Sequence, residues 1–366
     1  MMAALLEAFT ITAGGSEGGI GRVCAETLCG LETRTGTPQV TIITSEENPP
    51  LPKRGGVTLI TIPKKPPWLK LAYKIGNSLK LGALNEAFFL LRYKLWLSES
   101  KREAAALHKQ TPFDFAIHAT YTNLSVGSRL GESGIPTVSL GSFGGAGWER
   151  AAARLNRRGR GVLLGLNRET CNLLNAIPCA PPIEIPKPAG NGGKNGRALF
   201  IDHTKKRKNA AAVKEALKAP TPSPNPIPVT VLTNRPEYWE RTRVTTKPKA
   251  SHEAYLKELE AHSYLLTVAS REGAPTSALE GLHLGTIPIA SPLTWTQPLE
   301  TIRCGTEAKT TPKDIAEALL ATKEKGGGWE TEARNHNRQW GEKHTGHKAF
   351  EAALKKALEI LGVASY

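Results

Sequence analysis

The feature that constrains the fold most is the alternation of short β-rich segments with helical segments along nearly the whole chain. Segments such as "QVTIIT" (39–44), "VTLITI" (57–62) and "SYLLTVA" (263–269) are rich in Val, Ile, Leu and Thr and carry no charge. Strands that are apolar on both faces are typical of parallel sheets, which helices cover on both sides. The alternation therefore predicts an α/β protein.

The predicted elements fall into two series along the chain. The first series comprises strands at 8–13, 39–44, 57–62, 114–119, 136–141, 161–166 and 182–186, with helices at 19–33, 84–108, 123–132, 147–157 and 168–176. The second series comprises strands at 197–201, 228–233, 242–246, 263–269 and 286–291, with helices at 209–218, 252–261, 276–284, 312–325 and 347–361.

A Pro- and Gly-rich segment, 185–197, separates the two series and is typical of a linker. The chain has 366 residues and so exceeds the roughly 250–300 residues at which one hydrophobic core stops growing. We expect an N-terminal Rossmann-like domain at 1–188, a C-terminal one at 197–345, and a C-terminal helix at 346–366 that is able to pack back on the first domain. Two such domains facing each other leave a cleft, and ligands of open α/β sheets bind beyond the carboxyl ends of the strands.

The chain is strongly basic, with a formal net charge of +15. Residues 53–110 hold twelve Lys and Arg against three acids, and residues 191–250 hold thirteen against four. This charge favours an anionic partner, which could be nucleic acid, a membrane face or a phosphorylated small molecule. The alternative that the cations only solvate the surface stays open at this point.

The N-terminal segment has no basic region ahead of its apolar residues, and no stretch of about 18 uninterrupted apolar residues occurs in the chain. These features argue against a signal peptide and a membrane span, so we expect a cytoplasmic protein. The five cysteines form no CxxC pair, which indicates neither a disulfide framework nor a zinc ribbon.

Two carboxylates lie among the glycines and small residues of "SREGAPTSALEGLHLGTIPIAS" (270–291). Glu272 follows the predicted strand 263–269, and Glu280 lies about a turn inside the predicted helix 276–284. A loop that leads from a strand into a helix presents free N–H groups and a partial positive charge, which suit an anion or sugar hydroxyls. Two carboxylates in one pocket can accept hydrogen bonds from the hexose and ribose hydroxyls of a sugar nucleotide.

The spacing of these two acids, the preceding strand and the following "GLHLGTIPIAS" resemble the signature of retaining GT-B glycosyltransferases of family 4. That resemblance implies a fold of two Rossmann-like domains facing across a cleft. It also implies that Glu272 contacts the donor sugar and Glu280 the nucleotide ribose, with Gly273, Thr276 and Ser277 lining the loop. The sequence departs from the pattern at Pro275, which replaces a Gly and removes one N–H.

A second segment, "LFIDHTKKRKN" (199–209), is similar to the part of that family in which an Arg and a Lys bind the donor diphosphate. Lys208 occupies the Lys position, whereas His203 replaces the Arg. A histidine can still donate a hydrogen bond to phosphate, but it lacks the two-pronged geometry of a guanidinium.

Two further positions fit the resemblance more loosely. Gly14 and Gly15 belong to the Gly-rich "ITAGGSEGGIGR" (11–22), which matches neither GxGxxG nor a GK[ST] loop. In the family pattern these glycines lie where the acceptor meets the donor pyrophosphate. His118, at the carboxyl end of the predicted strand 114–119, lies where the family often carries a His near the donor sugar.

The resemblance implies a hexosyltransferase that needs no metal or other cofactor and takes a nucleotide-diphosphate sugar as co-substrate. The chain contains no DxD motif, and Lys208, His203 and helix N-termini could stabilise the departing diphosphate without a metal ion. We identify no carboxylate in the sequence that is suited to act as a covalent nucleophile. The resemblance to the family then implies a retaining, front-face substitution that the leaving phosphate assists. The acceptor would be a saccharide or lipid-linked molecule in cell-surface glycan or glycolipid synthesis.

The segment 63–102 interleaves Lys and Arg with six aromatic residues, a pattern typical of contact with an anionic membrane surface. The protein would then be peripheral at the inner face of the membrane, although burial of the helix around 84–97 explains its apolar residues equally well. Two alternatives stay open: a GT-B sugar-nucleotide epimerase or phosphorylase, and a basic nucleic-acid-binding protein. The second leaves the Glu pair unexplained, so we expect no nucleic-acid partner.

Overall fold

The computed structural model describes fourteen stretches of the chain: 3–8, 39–44, 57–62, 82–119, 134–141, 161–166, 171–172, 175–179, 195–202, 209–218, 226–249, 251–269, 276–292 and 305–363. The chain divides into two compact units. The first unit comprises Met1–Leu164, Leu173–Ile177 and Glu351–Tyr366, and the second comprises Gly165–Asn172 and Pro178–Phe350. Within the described stretches, no helix is long and apolar enough to cross a membrane.

The first unit is built on a seven-stranded sheet with the strand order β3-β2-β1-β4-β5-β6-β7. Its strands are β1 (Ala3–Ala8), β2 (Gln39–Thr44), β3 (Val57–Thr61), β4 (Phe115–Ala119), β5 (Thr137–Gly141), β6 (Gly161–Gly165) and β7 (Ile177–Pro178). The pairs from β3 to β5 are parallel. The strand order reverses between β1 and β4, which creates the switch point at which ligands bind in doubly wound sheets.

Helix α1 (Gly82–Gln110) belongs to the first unit and confirms the predicted helix at 84–108. Its Trp96 is 2% exposed and packs in a core cluster with Ile43, Phe113 and Ile135. Burial of this aromatic residue favours a core role for its part of the helix over contact with lipid. Leu95, by contrast, is 40% exposed.

The second unit is built on a six-stranded sheet with the order β10-β9-β8-β11-β12-β13, and all five strand pairs are parallel. Its strands are β8 (Ala198–Ile201), β9 (Val229–Leu232), β10 (Val244–Lys247), β11 (Tyr264–Thr267), β12 (Ile287–Ala290) and β13 (Thr306–Glu307). The chain moves outwards from β8 to β10 and then returns to the other side of β8 at β11. The switch point of this sheet therefore lies between β8 and β11.

Among the described residues of this part of the chain there are six α-helices: α2 (Ala210–Lys218), α3 (His252–Ala261), α4 (Thr276–His283), α5 (Pro312–Glu324), α6 (Gly326–His344) and α7 (Gly346–Ile360). A short 3₁₀ helix spans Pro236–Trp239. Apolar residues cover both faces of the sheet in two separate clusters, one around Phe200 and Leu266 and the other around Leu199 and Leu265. Such two-sided burial explains why the strands β8, β9, β11 and β12 are largely apolar, whereas the edge strand β10 is mostly exposed and carries Thr and Lys.

Five of the described elements differ from the sequence prediction, and three of these, the short strands β7 and β13 and the 3₁₀ helix, are not predicted. The other two are the first strand and helix α6. The first strand is predicted at 8–13 but is found at Ala3–Ala8, because parallel pairing with β2 and β4 overrides the helical preference of "AALLEA". Helix α6 is not predicted, since it begins with three glycines and has few apolar residues. It forms because Ala333, Asn337 and Gly341, at a spacing of four, are buried on one face.

Other predicted elements lie wholly or partly outside the described residues. The helices at 19–33, 123–132 and 147–157 and the strand at 182–186 belong to this group. Of the predicted helix 168–176, residues 171 and 172 are helical.

Candidate active site

A pocket lies at the switch point of the second sheet, where β8 and β11 end. The residues that line it are Phe200, Ile201, Leu265, Leu266, Thr267, Val268, Ala269 and Ser277. Parallel strands direct their carboxyl ends to one edge of the sheet, and the helix that follows β11 begins at the same edge. The pocket is thus placed where an α/β sheet of this topology binds its ligand.

Helix α4 supplies the polar wall of this pocket. It begins at Thr276, and both Thr276 and Ser277 are half-buried. The first four N–H groups of a helix have no partner within the helix, and the helix dipole places a partial positive charge at this end. Together with the hydroxyl of Ser277, these groups can bind an anion such as a phosphate.

Glu280 lies one turn further along α4 and is 2% exposed. Its Oε1 lies 3.5 Å from Nε2 of His252, the first residue of α3. The carboxylate is thus held between two helices, both of which begin at the carboxyl edge of the sheet. The structure therefore places Thr276, Ser277 and Glu280 on one helix, with Ser277 in the pocket wall, and their contacts with a donor stay predictions.

A second polar cluster surrounds Asp202, directly after β8. Asp202 Oδ2 accepts hydrogen bonds from Thr233 Oγ1 (2.7 Å), Arg235 Nε (2.8 Å) and Trp239 Nε1 (3.0 Å), and Oδ1 accepts one from Arg235 Nη2 (2.6 Å). The guanidinium of Arg235 lies 4.1 Å from the centre of the Tyr238 ring. This network fixes the chain at the point where it leaves β8 and enters segment 203–208.

The network also determines the ionisation of Asp202, which is 2% exposed. Burial by itself would raise the pKa of this carboxyl group, but the hydrogen bonds from Arg235, Trp239 and Thr233 and the charge of Arg235 outweigh it and lower the pKa to about 2. Nearby, burial lowers the pKa of Lys249; Arg235 lowers it further, whereas Asp202 raises it. Asp202 is therefore a stable anion at neutral pH, paired with Arg235.

His118 lies in the other unit, as the fourth of the five residues of β4. The backbone register places it in one row with Glu7 of β1 and Ser139 of β5, across the switch point of the first sheet. It is 1% exposed. His118 thus lies at the expected end of the expected strand, but inside the sheet, and its contact with a donor sugar stays a prediction.

The remaining predicted site residues lie outside the described residues. They are Gly14, Gly15, His203, Lys208, Glu272 and Gly273. Their roles are therefore predictions from the sequence.

Three residues of the site were not anticipated from the sequence: Asp202, Arg235 and His252. An acid directly after an apolar strand, as in "LFID", and an Arg shortly after the next strand, as in "TVLTNR", are the signals that could have revealed the first pair. His252 carries a weaker signal, since a His at the start of a helix is common at the surface. Its importance follows only from the contact with Glu280.

No protein-family model and no curated protein sequence matches the chain. Solved structures do match over nearly the whole length. The trehalose-6-phosphate synthase OtsA has a TM-score of 0.68 at 11% sequence identity, covering 97% of this chain and 98% of its own. WaaG, a glycosyltransferase involved in lipopolysaccharide biosynthesis, has a TM-score of 0.60 at 13% identity, covering 98% of this chain and 100% of its own.

A third match is Alr3699/HepE from Anabaena, solved in complex with UDP, with a TM-score of 0.59 at 11% identity over 98% of this chain and 100% of its own. Identities this low establish the fold and not the activity. The chain therefore has the fold of the GT-B glycosyltransferases, which consists of two Rossmann-like domains.

Proposed function

We propose that the protein is a glycosyltransferase that moves a sugar from a nucleotide-diphosphate donor to a saccharide or lipid-linked acceptor. The observation that carries this proposal is the pocket at the β8–β11 switch point, with Ser277 of α4 in its wall and the buried Glu280 one turn further along the same helix. The fold supports it, because WaaG, which shares the fold, is a glycosyltransferase, and Alr3699/HepE, which also shares it, was solved in complex with UDP.

The donor would be oriented by the chemistry of the pocket wall. The N–H groups at the start of α4 and the Ser277 hydroxyl suit the diphosphate, which carries the negative charge of the donor. Glu280, one turn inside the helix, suits the ribose, because a carboxylate accepts hydrogen bonds from two neighbouring hydroxyls. A donor bound in this way would have its nucleoside towards α3 and its phosphates at the helix start.

The catalytic step would use the family 4 roles carried by the sequence. Lys208 and His203 would stabilise the negative charge that develops on the departing diphosphate, without a metal ion or other cofactor. Glu272, Gly273 and His118 would contact the donor sugar, with Gly14 and Gly15 where the acceptor meets the donor pyrophosphate. Transfer would retain the configuration of the sugar, with the leaving phosphate assisting the incoming hydroxyl.

The proposed setting is the cytoplasm, in the synthesis of cell-surface glycan or glycolipid, with the basic segment 63–102 in contact with an anionic membrane surface. Flotation with liposomes tests the membrane contact: binding that needs anionic lipid and weakens with salt supports it. Failure to float with anionic liposomes at low salt contradicts it without affecting the proposed activity.

A thermal-shift screen against nucleotides and sugar nucleotides tests the donor. A ligand that binds only the folded state raises Tm by mass action, so we expect a shift with a nucleoside diphosphate and its sugar conjugates. Incubation of the selected sugar nucleotide with candidate acceptors, followed by product analysis, then separates transfer from hydrolysis, phosphorolysis and epimerisation. A panel without any shift contradicts the proposal.

Two substitutions separate the roles of the acids. We expect Glu280→Ala to weaken binding of the nucleotide about tenfold or more, because it removes a charged hydrogen-bond acceptor from the ribose. Glu272→Ala should reduce turnover with less effect on nucleotide binding. Unchanged binding and turnover in both variants would contradict the assignment.

A further inference from the structure

We propose that His252 is a positioning residue for the Glu280 carboxylate and thereby controls how tightly the nucleoside part of the donor is bound. This inference rests on the proposed function, in which Glu280 receives the ribose hydroxyls. It adds to that function a residue from a different helix, which the sequence pattern of the Glu pair does not contain.

The surroundings of Glu280 show why its carboxylate needs a partner. Its neighbours on α4, Ala278, Leu279 and Leu282, are buried among apolar residues of the second unit. An ionised carboxylate in such surroundings is costly unless cations or hydrogen-bond donors face it. The imidazole of His252, with Nε2 at 3.5 Å from Oε1, provides such a group.

The position of His252 is fixed by the way α3 begins. Ser251 caps the helix, since its hydroxyl accepts a hydrogen bond from the backbone N–H of Ala254. The ring of Tyr255 lies 5.7 Å from the His252 ring, centre to centre, on the same helix. The imidazole therefore approaches Glu280 from a capped helix start, and its side chain is 32% exposed at the edge that carries the pocket.

This geometry links the pair to the nucleoside and not to the phosphates. A carboxylate that receives two ribose hydroxyls must present its oxygens in a fixed plane, and a contact to Oε1 restricts rotation of that plane. The phosphates, by contrast, face the N–H groups at the start of α4, one turn away. Loss of His252 should thus weaken binding of a whole nucleotide while leaving recognition of the diphosphate portion unchanged.

Titration calorimetry with UDP, GDP, ADP and TDP first identifies the nucleoside diphosphate that the wild-type full-length protein binds. We then expect His252→Ala to weaken that Kd about tenfold and to leave the Kd for inorganic pyrophosphate, used as the phosphate-only probe, unchanged. His252→Gln should restore most of the affinity, because the amide nitrogen of Gln can occupy the position of Nε2 and donate to the carboxylate.

Two controls separate positioning from folding. Glu253→Gln changes the neighbouring, exposed residue of α3, which pairs with Lys257, and should leave both dissociation constants unchanged. In a Glu280→Ala background, His252→Ala should have no further effect on nucleotide binding, since the carboxylate that it positions is gone.

Each result has a definite meaning. The proposal would be overturned if His252→Ala weakened the binding of nucleotide and of pyrophosphate equally, or left the nucleotide affinity unchanged. It would also be overturned if His252→Ala kept its full effect on nucleotide binding in the Glu280→Ala background. A wild-type protein that binds none of the four diphosphates contradicts the proposed function itself. An effect of Glu280→Ala without one of His252→Ala contradicts only this inference.

Discussion

Replacing Asp202 by Asn should destabilise the second unit, and the loss should depend on pH in a way that the hydrogen-bond network determines. The ordinary pKa of 3.8 falls to about 2 in the folded protein, because the hydrogen bonds and the charge of Arg235 outweigh the effect of burial. At about 1.4 kcal/mol per pH unit, this change corresponds to about 2.4 kcal/mol of stability.

The sign of the pH dependence follows from the lowered pKa. A carboxyl group whose pKa is lower in the folded state stabilises that state fully above its unfolded pKa, near pH 4, and this contribution disappears as the pH falls towards 2. Of the roughly 2.4 kcal/mol present at pH 7, about 1 kcal/mol should be lost at pH 3. The difference between wild type and Asp202→Asn should shrink by that amount over this range.

The assay is urea unfolding of the full chain at pH 7 and pH 3, followed by tryptophan fluorescence, because Trp239 donates directly to Asp202. Since the two units can unfold separately, hydrogen exchange of peptides from 226–249 assigns the change to the second unit. Glu215→Gln, which removes an exposed pair with Lys218, is the control and should give no measurable change.

A difference between wild type and Asp202→Asn that is equal at both pH values would refute this reasoning, because the ionised form would then not be the stabilising one. Arg235→Gln provides the reciprocal test. It leaves the buried carboxylate with fewer partners, so it should also destabilise the unit, and the double variant should lose less than the sum of the single variants.

Three further predictions concern packing and reactivity. A Cβ at Gly305 would lie 2.2 Å from the backbone oxygen of Pro288, so Gly305→Ala should lower the free energy of unfolding in urea by roughly 1–3 kcal/mol. Gly327→Ala, with open space around the site, should not destabilise the protein, and equal stabilities of the two variants would contradict the packing at Gly305. Trp96→Ala should cost roughly 3–5 kcal/mol because the side chain is in the core, and a loss near zero would mean that this face is exposed. Burial, assisted by the nearby Cys171 thiol, raises the pKa of the Cys179 thiol. Iodoacetamide at pH 8 should therefore label Cys179, as followed by peptide mapping, at least about tenfold more slowly in native than in urea-unfolded protein, and equal labelling rates would refute the burial of this thiol.

The strands and most helices of the second unit could be predicted because their signals are local. The apolar runs of β11 and β12 and the helix between them lie within the segment 263–291, where periodicity and turn residues agree. Helix α6 could not be predicted from the sequence, because its stability comes from tertiary contacts. Asn337 is buried and donates to the Thr286 carbonyl oxygen (3.3 Å), and Gly341 allows close packing against His283.

The candidate site shows the same difference between local signals, which the sequence carries, and tertiary contacts, which it does not. Thr276, Ser277 and Glu280 lie on one short helix, so their spacing in the sequence reveals their proximity. The Asp202–Arg235 pair and the His252–Glu280 contact each join residues that are far apart in the chain. Single-sequence patterns do not encode such pairs, because strand order and helix packing decide which loop ends meet.

The division of the chain into units has a practical consequence for anyone who wants to produce the second unit alone. The last stretch, Glu351–Tyr366, belongs to the first unit although it follows the second in the chain. A fragment that starts near residue 178 and runs to residue 366 would carry the apolar residues Leu354, Ala357 and Leu358, all buried in the 366-residue chain, without the unit to which they belong. Such a fragment should aggregate, and one that stops near Phe350 is the better choice for crystallisation or ligand soaking.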